Sequence, residues 1–264
     1  MNKAVRFPLT VMIVVLLLVS ACQKRVKPDD LDRAEGYYLL GVSSMELGDS
    51  TGALESLLMA VEINPQEPRY HDAVGLVYYS KERFDKAINH FKQALALDPN
   101  YSDSHHNLGT VYLYLGRYNE AIDEFSAALQ NDLYRNRAAS LNSLGWCHYK
   151  LGDYVKAEEY LQGVIKQDRR YLIAYNNLAL VYIAMDRGED AVATLLRVLE
   201  LSPDYAEAHL NLGIAYTKIG RTDQAKVEFA KVIEVDPYGK LGDQAKQYLR
   251  LLRGGPDGEP GGLP

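Results

Sequence analysis

Apolar and small residues recur along this chain in one arrangement, six times over. Ala53, Ala87, Ala121, Ala157, Ala191 and Ala225 are each followed four residues later by a large apolar side chain: Leu57, Phe91, Phe125, Leu161, Leu195 or Phe229. Seven residues after each Ala comes a small or β-branched residue, Ala60, Ala94, Ala128, Val164, Val198 or Val232. Spacings of four and seven place all three on one face of a helix. Twelve residues before each Ala stands Gly41, Gly75, Gly109, Gly145, Ala179 or Gly213, usually after Leu, which marks the contact face of an earlier helix. The intervals of 34, 34, 36, 34 and 34 residues predict one helix-turn-helix unit per period. Function is therefore expected on a surface rather than in a pocket.

Two antiparallel helices approach to roughly 8–10 Å only where facing side chains are small, which explains Gly and Ala at the contact. Pro65, Pro99, Pro203 and Pro237 follow Asn64, Asp98, Ser202 and Asp236. Each stops a second helix, because Pro cannot extend it and biases its predecessor toward extended backbone. Gly48, Gly116, Gly152 and Gly220 supply the left-handed residue that ends a first helix. Glu82 and Asp186 stand in that place in the second and fifth copies, so those two turns are less defined by sequence.

This combination resembles the tetratricopeptide repeat (TPR) over residues 34–239, with units 34–67, 68–101, 102–135, 138–171, 172–205 and 206–239. The resemblance implies an all-α fold, a right-handed superhelical solenoid of six TPR units. A stack needs a cover on its last apolar face. Residues 240–253 can provide one: Leu241, Ala245, Leu249 and Leu252 fall at helical spacing, with Lys246, Gln247 and Arg250 between them, as in an amphipathic capping helix. The Gly- and Pro-rich residues 254–264 have nothing to pack and are expected to form a disordered tail.

Residues 1–21 follow different rules. Lys3 and Arg6 precede an unbroken apolar run from Val11 to Val19. Such a run is too short for the roughly 20 residues of a membrane-spanning helix but suits a secretory signal. Val19-Ser20-Ala21-Cys22 resembles the bacterial lipobox, which implies cleavage before Cys22 and a lipid on that residue; an ordinary signal peptide with an incidental Cys is the other reading. Gln23 stands where an Asp resembles an inner-membrane retention signal, so an outer-membrane anchor facing the periplasm is expected. Residues 22–33 would form the lipidated start and a charged tether.

Lys3 and Arg6 removed from the 29 basic residues leave 27 against 35 acidic ones, a net charge of about −8 that offers nothing to nucleic acid. Besides Cys22 the chain has only Cys147, so no internal disulfide staples the fold. No phosphate-cradling Gly loop, His-Glu-x-x-His pair or Gly-x-Ser-x-Gly elbow is present, and neither an enzyme nor a cofactor is indicated. His71, His105 and His209 share the fourth place of their repeats, which reads as packing rather than metal ligation. His105 and His106 point about 100° apart on a helix and are no chelating pair.

In tetratricopeptide stacks the second, fifth, ninth, twelfth and thirteenth places of each first helix line the concave surface. Mapped onto this chain, they give a partner-binding groove of Tyr38, Val42, Met45, Leu76, Tyr79, His106, Leu113, Tyr114, Asn142, Trp146, Tyr149, Asn176, Leu180, Ile183, Leu210 and Ile214, with Ile173 beside them. Half of these are expected to be ordinary core. Trp146 with Tyr149, and Tyr79 with Tyr114, are aromatic anchors of the kind that dominate interfaces. The clamp that holds a terminal carboxylate in some such domains has Lys and Asn where this chain has Tyr38 and Val42, so a hydrophobic or amphipathic segment is the better ligand.

The signal, lipobox and six units together are similar to the type IV pilus pilotins of the PilF, PilW and Tgl kind. The likeness is sharpest at the 36-residue step, where Leu133, Tyr134 and Arg137 match a Leu-Tyr-x-x-Arg joint between third and fourth repeats. It implies a protein that binds secretin subunits and promotes their outer-membrane localisation and multimerisation. A lipoprotein adaptor resembling NlpI, which recruits periplasmic proteases or cell-wall hydrolases, is the alternative. The array reads as two three-unit halves joined at residues 133–137.

Overall fold

The structure, a computed structural model, describes residues 27–253. The signal segment 1–21, Cys22 and the tail 254–264 lie outside the described residues. Thirteen helices and no strand occur among the described residues, so the all-α expectation holds. They fall into two compact units, residues 27–99 and 100–253.

In the first unit, α1 (Pro28–Glu46) pairs with α2 (Ser50–Ile63), and α3 (Pro68–Ser80) with α4 (Phe84–Leu97). α2 also packs on α3. α1 begins at Pro28, so residues 28–33, expected in the tether, belong to the first helix. Pro at the first helical position loses no hydrogen bond, and Asp29 and Asp30 in the first turn suit the positive end of the helix dipole.

The second unit holds four pairs: α5 (Ser102–Tyr114) with α6 (Tyr118–Ala128), α7 (Arg137–Lys150) with α8 (Tyr154–Gln167), α9 (Leu172–Ala184) with α10 (Gly188–Leu201), and α11 (Ala206–Lys218) with α12 (Thr222–Val235). α6, α8 and α10 pack in turn on α7, α9 and α11. α13 (Lys240–Leu252) closes the end against α12 and α11. Its Ala245 is fully buried, its Tyr248 stacks on Phe229 at 5.0 Å, and Asp236 caps its start by accepting from the Leu241 and Gly242 amides.

All six Ala residues of the repeat and the large residues four places on are fully buried. A Cβ at Gly75 would stand 2.6 Å from the Phe91 ring, and one at Gly145 2.7 Å from Leu161, so the bare backbone is what lets each pair close. The Asn64, Asp98, Ser202 and Asp236 caps all leave the helical region, with φ between −130° and −144°, which agrees with the restriction that the following Pro imposes.

The turns answer what the sequence left open. Gly48, Gly116, Gly152 and Gly220 have φ between 72° and 79°, while Glu82 and Asp186 adopt 56° and 59°. Both of these pay the left-handed penalty of about 1–2 kcal/mol. The same closing bonds hold them: Arg83 N–H donates to Tyr78 O and Arg187 N–H to Tyr182 O, both at 2.8 Å, as Arg117 does to Tyr112 O.

The expected division at residues 133–137 is not where the compact units part; that boundary falls between Pro99 and Asn100. The joint is held instead of hinged. α6 is only 11 residues long, leaving carbonyls at its end, and the Arg137 guanidinium reaches back to donate to Leu129 O at 2.9 Å and Asn131 O at 3.1 Å. Tyr134 is buried beneath, whereas Leu133 points outward, 89% exposed.

Candidate partner-binding surface

In the first unit, α1 and α3 present Tyr38, Val42, Met45, Leu76 and Tyr79, all partly buried. Tyr38 is held in a cluster. Its ring lies 5.2 Å from that of Tyr70, with the Arg69 guanidinium 5.3 Å above it. Arg69 pairs with Glu35 at 3.1 Å and Glu67 at 2.9 Å, and the Tyr70 hydroxyl donates to Glu35. Burial raises the pKa of the Tyr38 phenol, and it raises that of Tyr70 further with the help of the Glu35 bond. Met45 packs against the core around Leu57, and Tyr79 tilts against Phe84 at 6.0 Å.

In the second unit the fifth-place residues are tied to the next first helix. His106 Nδ1 and Ser140 Oγ share a hydrogen bond of 2.8 Å; Asn177 donates to Asn142 Oδ1 at 3.1 Å, and Asn211 to Asn176 Oδ1 at 2.8 Å. This ladder uses the carbonyl of each fifth-place Asn and leaves its two N–H donors outside that bond. Burial lowers the pKa of His106, favouring the neutral ring.

α7 carries the aromatic centre. Trp146 and Tyr149 stack at 5.0 Å, Lys150 lies 5.3 Å from the indole, and Tyr154 of α8 adds a third ring 5.9 Å from Tyr149. Trp146, Tyr149 and Tyr154 are all partly buried, so each keeps surface for a partner. Tyr154 escaped the sequence reading because it opens a second helix, outside the first-helix places.

The remaining positions divide by depth. Tyr114 and Ile173 are exposed at 61% and 51%, Leu113, Leu180 and Ile214 are partly buried, and Ile183 and Leu210 are packed into the core at 8% and 7%. These last two are core side chains, far fewer than the half expected from the sequence, because most of the mapped places keep part of their surface at the edge of the helix pairs.

The three fourth-place His residues are packed and also bonded. His71 Nε2 meets Pro65 O at 3.1 Å, His105 meets Glu124 at 2.6 Å, and His209 meets both Glu228, at 2.6 Å, and Pro203 O, at 2.7 Å. The two Glu partners lie 19 residues after their His, a spacing that could have been found in the sequence. Among the described residues no group of three His, Cys, Asp or Glu is placed to hold a metal ion.

Comparison with known proteins follows the same lines. Residues 100–169 and 170–237 match the tetratricopeptide repeat, as do 34–67, and residues 75–114 match the TPR repeat. The chain belongs to the tetratricopeptide repeat family. A TPR repeat-containing protein of Methanocaldococcus jannaschii is 23% identical over 163 residues, which are 59% of this chain and 29% of that protein. Thus the chain spans less than a third of that relative. Among solved structures, PilF of Pseudomonas aeruginosa matches with a TM-score of 0.72 and 19% identity, over 83% of this chain and 99% of its own. PilW, described as a widely conserved type IV pilus biogenesis factor, matches with a TM-score of 0.75 and 21% identity, over 82% and 98%. These likenesses establish a shared fold.

Proposed function

We propose that this chain is a non-enzymatic lipoprotein, anchored to the outer membrane through Cys22 and facing the periplasm, that binds secretin subunits and promotes their multimerisation in type IV pilus biogenesis. The observation that carries the reading is the partly buried stack of Trp146, Tyr149 and Tyr154 beside the Asn142–Asn177 bond. Rings held in place by their neighbours offer contact area at little ordering cost, and nearby amide donors can meet the backbone of an extended or amphipathic segment. The fold likeness to PilF and to PilW, a type IV pilus biogenesis factor, over nearly their whole length supports a role in pilus biogenesis. So does Leu133-Tyr134-x-x-Arg137, where Arg137 performs a structural task that the repeat pattern alone does not require.

Deleting the gene is expected to abolish detergent-resistant secretin multimers and surface pili; intact multimers in the deletant would sink the proposal. Trp146→Ala with Tyr149→Ala should remove secretin capture while leaving helical circular dichroism unchanged. Recovery of proteases or cell-wall hydrolases in place of a secretin would favour the adaptor reading. For the anchor, Cys22→Ala or globomycin should change both processing and membrane fractionation.

A further inference from the structure

The third, seventh and tenth places of the first helices form the face on which the preceding second helix packs. In α3 these are Tyr70, Val74 and Val77, exposed by no more than 2% and clustered with Ala53, Leu57 and Ala60 of α2. In α7 they are Ser140, Leu144 and Cys147, in α9 Ala174, Leu178 and Val181, and in α11 Ala208, Leu212 and Ala215, every one buried. α1 carries the same face as Gly36, Leu40 and Ser43. All three are exposed, Leu40 at 55%, with Leu39 beside it at 58%.

A terminal repeat ordinarily turns a polar face outward. α1 has no charged residue between Glu35 and Glu46, and Glu35 is taken by Arg69 and Tyr70. Charge returns at the rim of the bare face, as exposed Asp29, Asp32 and Arg33 at one end, where exposed Lys27 precedes the helix, and as Glu46 at the other. The nearest cation on the helix, Arg33, pairs with Asp30 at 3.2 Å.

We propose that this face of α1 docks an amphipathic helix of a partner protein, with a small-large-small apolar stripe like that of the chain's own second helices and basic residues at its flanks. The internal repeats show what kind of surface meets this face: Ala53 and Leu57 of α2 cluster with Val74 and Val77 of α3, and Ala60 with Tyr70. The acidic rim selects the charge. A second copy is disfavoured, because two-fold pairing would set carboxylates against carboxylates, and such like-charge juxtaposition is repulsive. A lipid surface is disfavoured by the same carboxylates, since anionic headgroups attract basic segments and not acidic ones.

The probes are fluorescent 14-residue peptides with the sequence of Phe84–Leu97, one made basic by Asp85→Lys and one made acidic by Lys86→Glu with Lys92→Glu. On the full chain the basic peptide should bind at least tenfold more tightly than the acidic one. Leu40→Glu should weaken it at least tenfold and Trp146→Ala by less than twofold. Asp32→Lys with Glu46→Lys should reverse the preference, a readout that survives if Leu40→Glu perturbs folding. Equal binding of the two peptides, no binding of either, or loss on Trp146→Ala and not on Leu40→Glu would overturn the proposal. In cells, benzoylphenylalanine at Ser43 should form an adduct within a basic amphipathic segment of another protein. Adducts only with lipid, with a second copy or with residues 1–26, or none, would overturn it as well.

Discussion

In α11, Ala208, Leu212 and Ala215 lie in the core that also holds Leu195 and Val198 of α10, each of the three with no exposed surface. In α1 the matching Gly36, Leu40 and Ser43 face solvent. The repeat position is the same, and α11 has a second helix, α10, packed on it. The far end of the chain shows how such a face is closed: α13 lays Ala245 and Tyr248 over α12 and turns Lys240, Asp243, Gln247 and Arg250 outward. One end of the array is finished with a polar surface, and the other is built like an interior.

The largest effect that would break this contrast is at the seventh place. Leu212→Ala empties a site with no exposed surface, and should destabilise the chain by about 2–5 kcal/mol in urea melts. Leu40→Ala should cost less than about 1 kcal/mol, since that side chain is 55% exposed. Equal losses would mean that the α1 face is covered in solution.

The next contrast is at the eighth place. A Cβ at Gly213 would stand 2.5 Å from the Phe229 ring, and Phe229 is itself pinned by Tyr248. Gly213→Ala is expected to cost about 1–3 kcal/mol through overpacking, seen as a lower denaturation midpoint with unchanged slope. Relief by Phe229→Leu in the same chain would locate the strain at that ring.

These positions also show what could be read from sequence. The period located the helices, because small-large-small spacing and helix-stopping Pro are local signals. The repeat pattern begins at residue 34 and leaves residues 28–33 to the tether, although Pro28 and Asp29 are themselves a helix start. Glu82 and Asp186 hid their turns, since left-handed backbone there is enforced by closing bonds to Tyr79 O and Ile183 O and not by residue type. The joint was visible as Leu133-Tyr134-x-x-Arg137, but its rigidity depends on carbonyls of a shortened α6. The groove was least legible. Whether Asn142 and Asn176 are ligands or fasteners depends on the Asn that the next helix places opposite, and the depth of Ile183 and Leu210 depends on the neighbours around them.

Acid should act through the half-buried His residues of the helix pairs. Burial, then His71, then Lys86, lower His90 from 6.5 to about 4, and its ring stacks on His71 and Tyr78. With the folded value below the unfolded one, the unfolded chain binds more protons between about pH 4 and 6.5, so stability is full above that window and falls as pH drops through it. Allowing for solvent screening of a group this exposed, His90 should account for about 1 kcal/mol of the loss. His106 and His148, both lowered by burial, add to the same slope. Urea melts at pH 7.5 and 4.5 should therefore show a smaller drop in His90→Gln than in the parent, and an unchanged drop would refute the assignment.

The smallest effect is a gain. Nothing lies within 4 Å of a Cβ built at Gly36, and its φ is not in the left-handed region, so no backbone need explains glycine there. Alanine in a helix interior is favoured over glycine by roughly 0.8–1.0 kcal/mol. Gly36→Ala should raise stability by up to about 1 kcal/mol, read as a higher midpoint in urea, where the same exchange at Gly213 lowers it. If α1 seats a helix across Gly36 as its inner counterparts do, the added methyl should also weaken the basic Phe84–Leu97 peptide several-fold. A variant that becomes more stable while binding less well separates a residue kept for docking from one kept for folding, and unchanged binding would place the helix farther along α1, over Leu40 and Ser43.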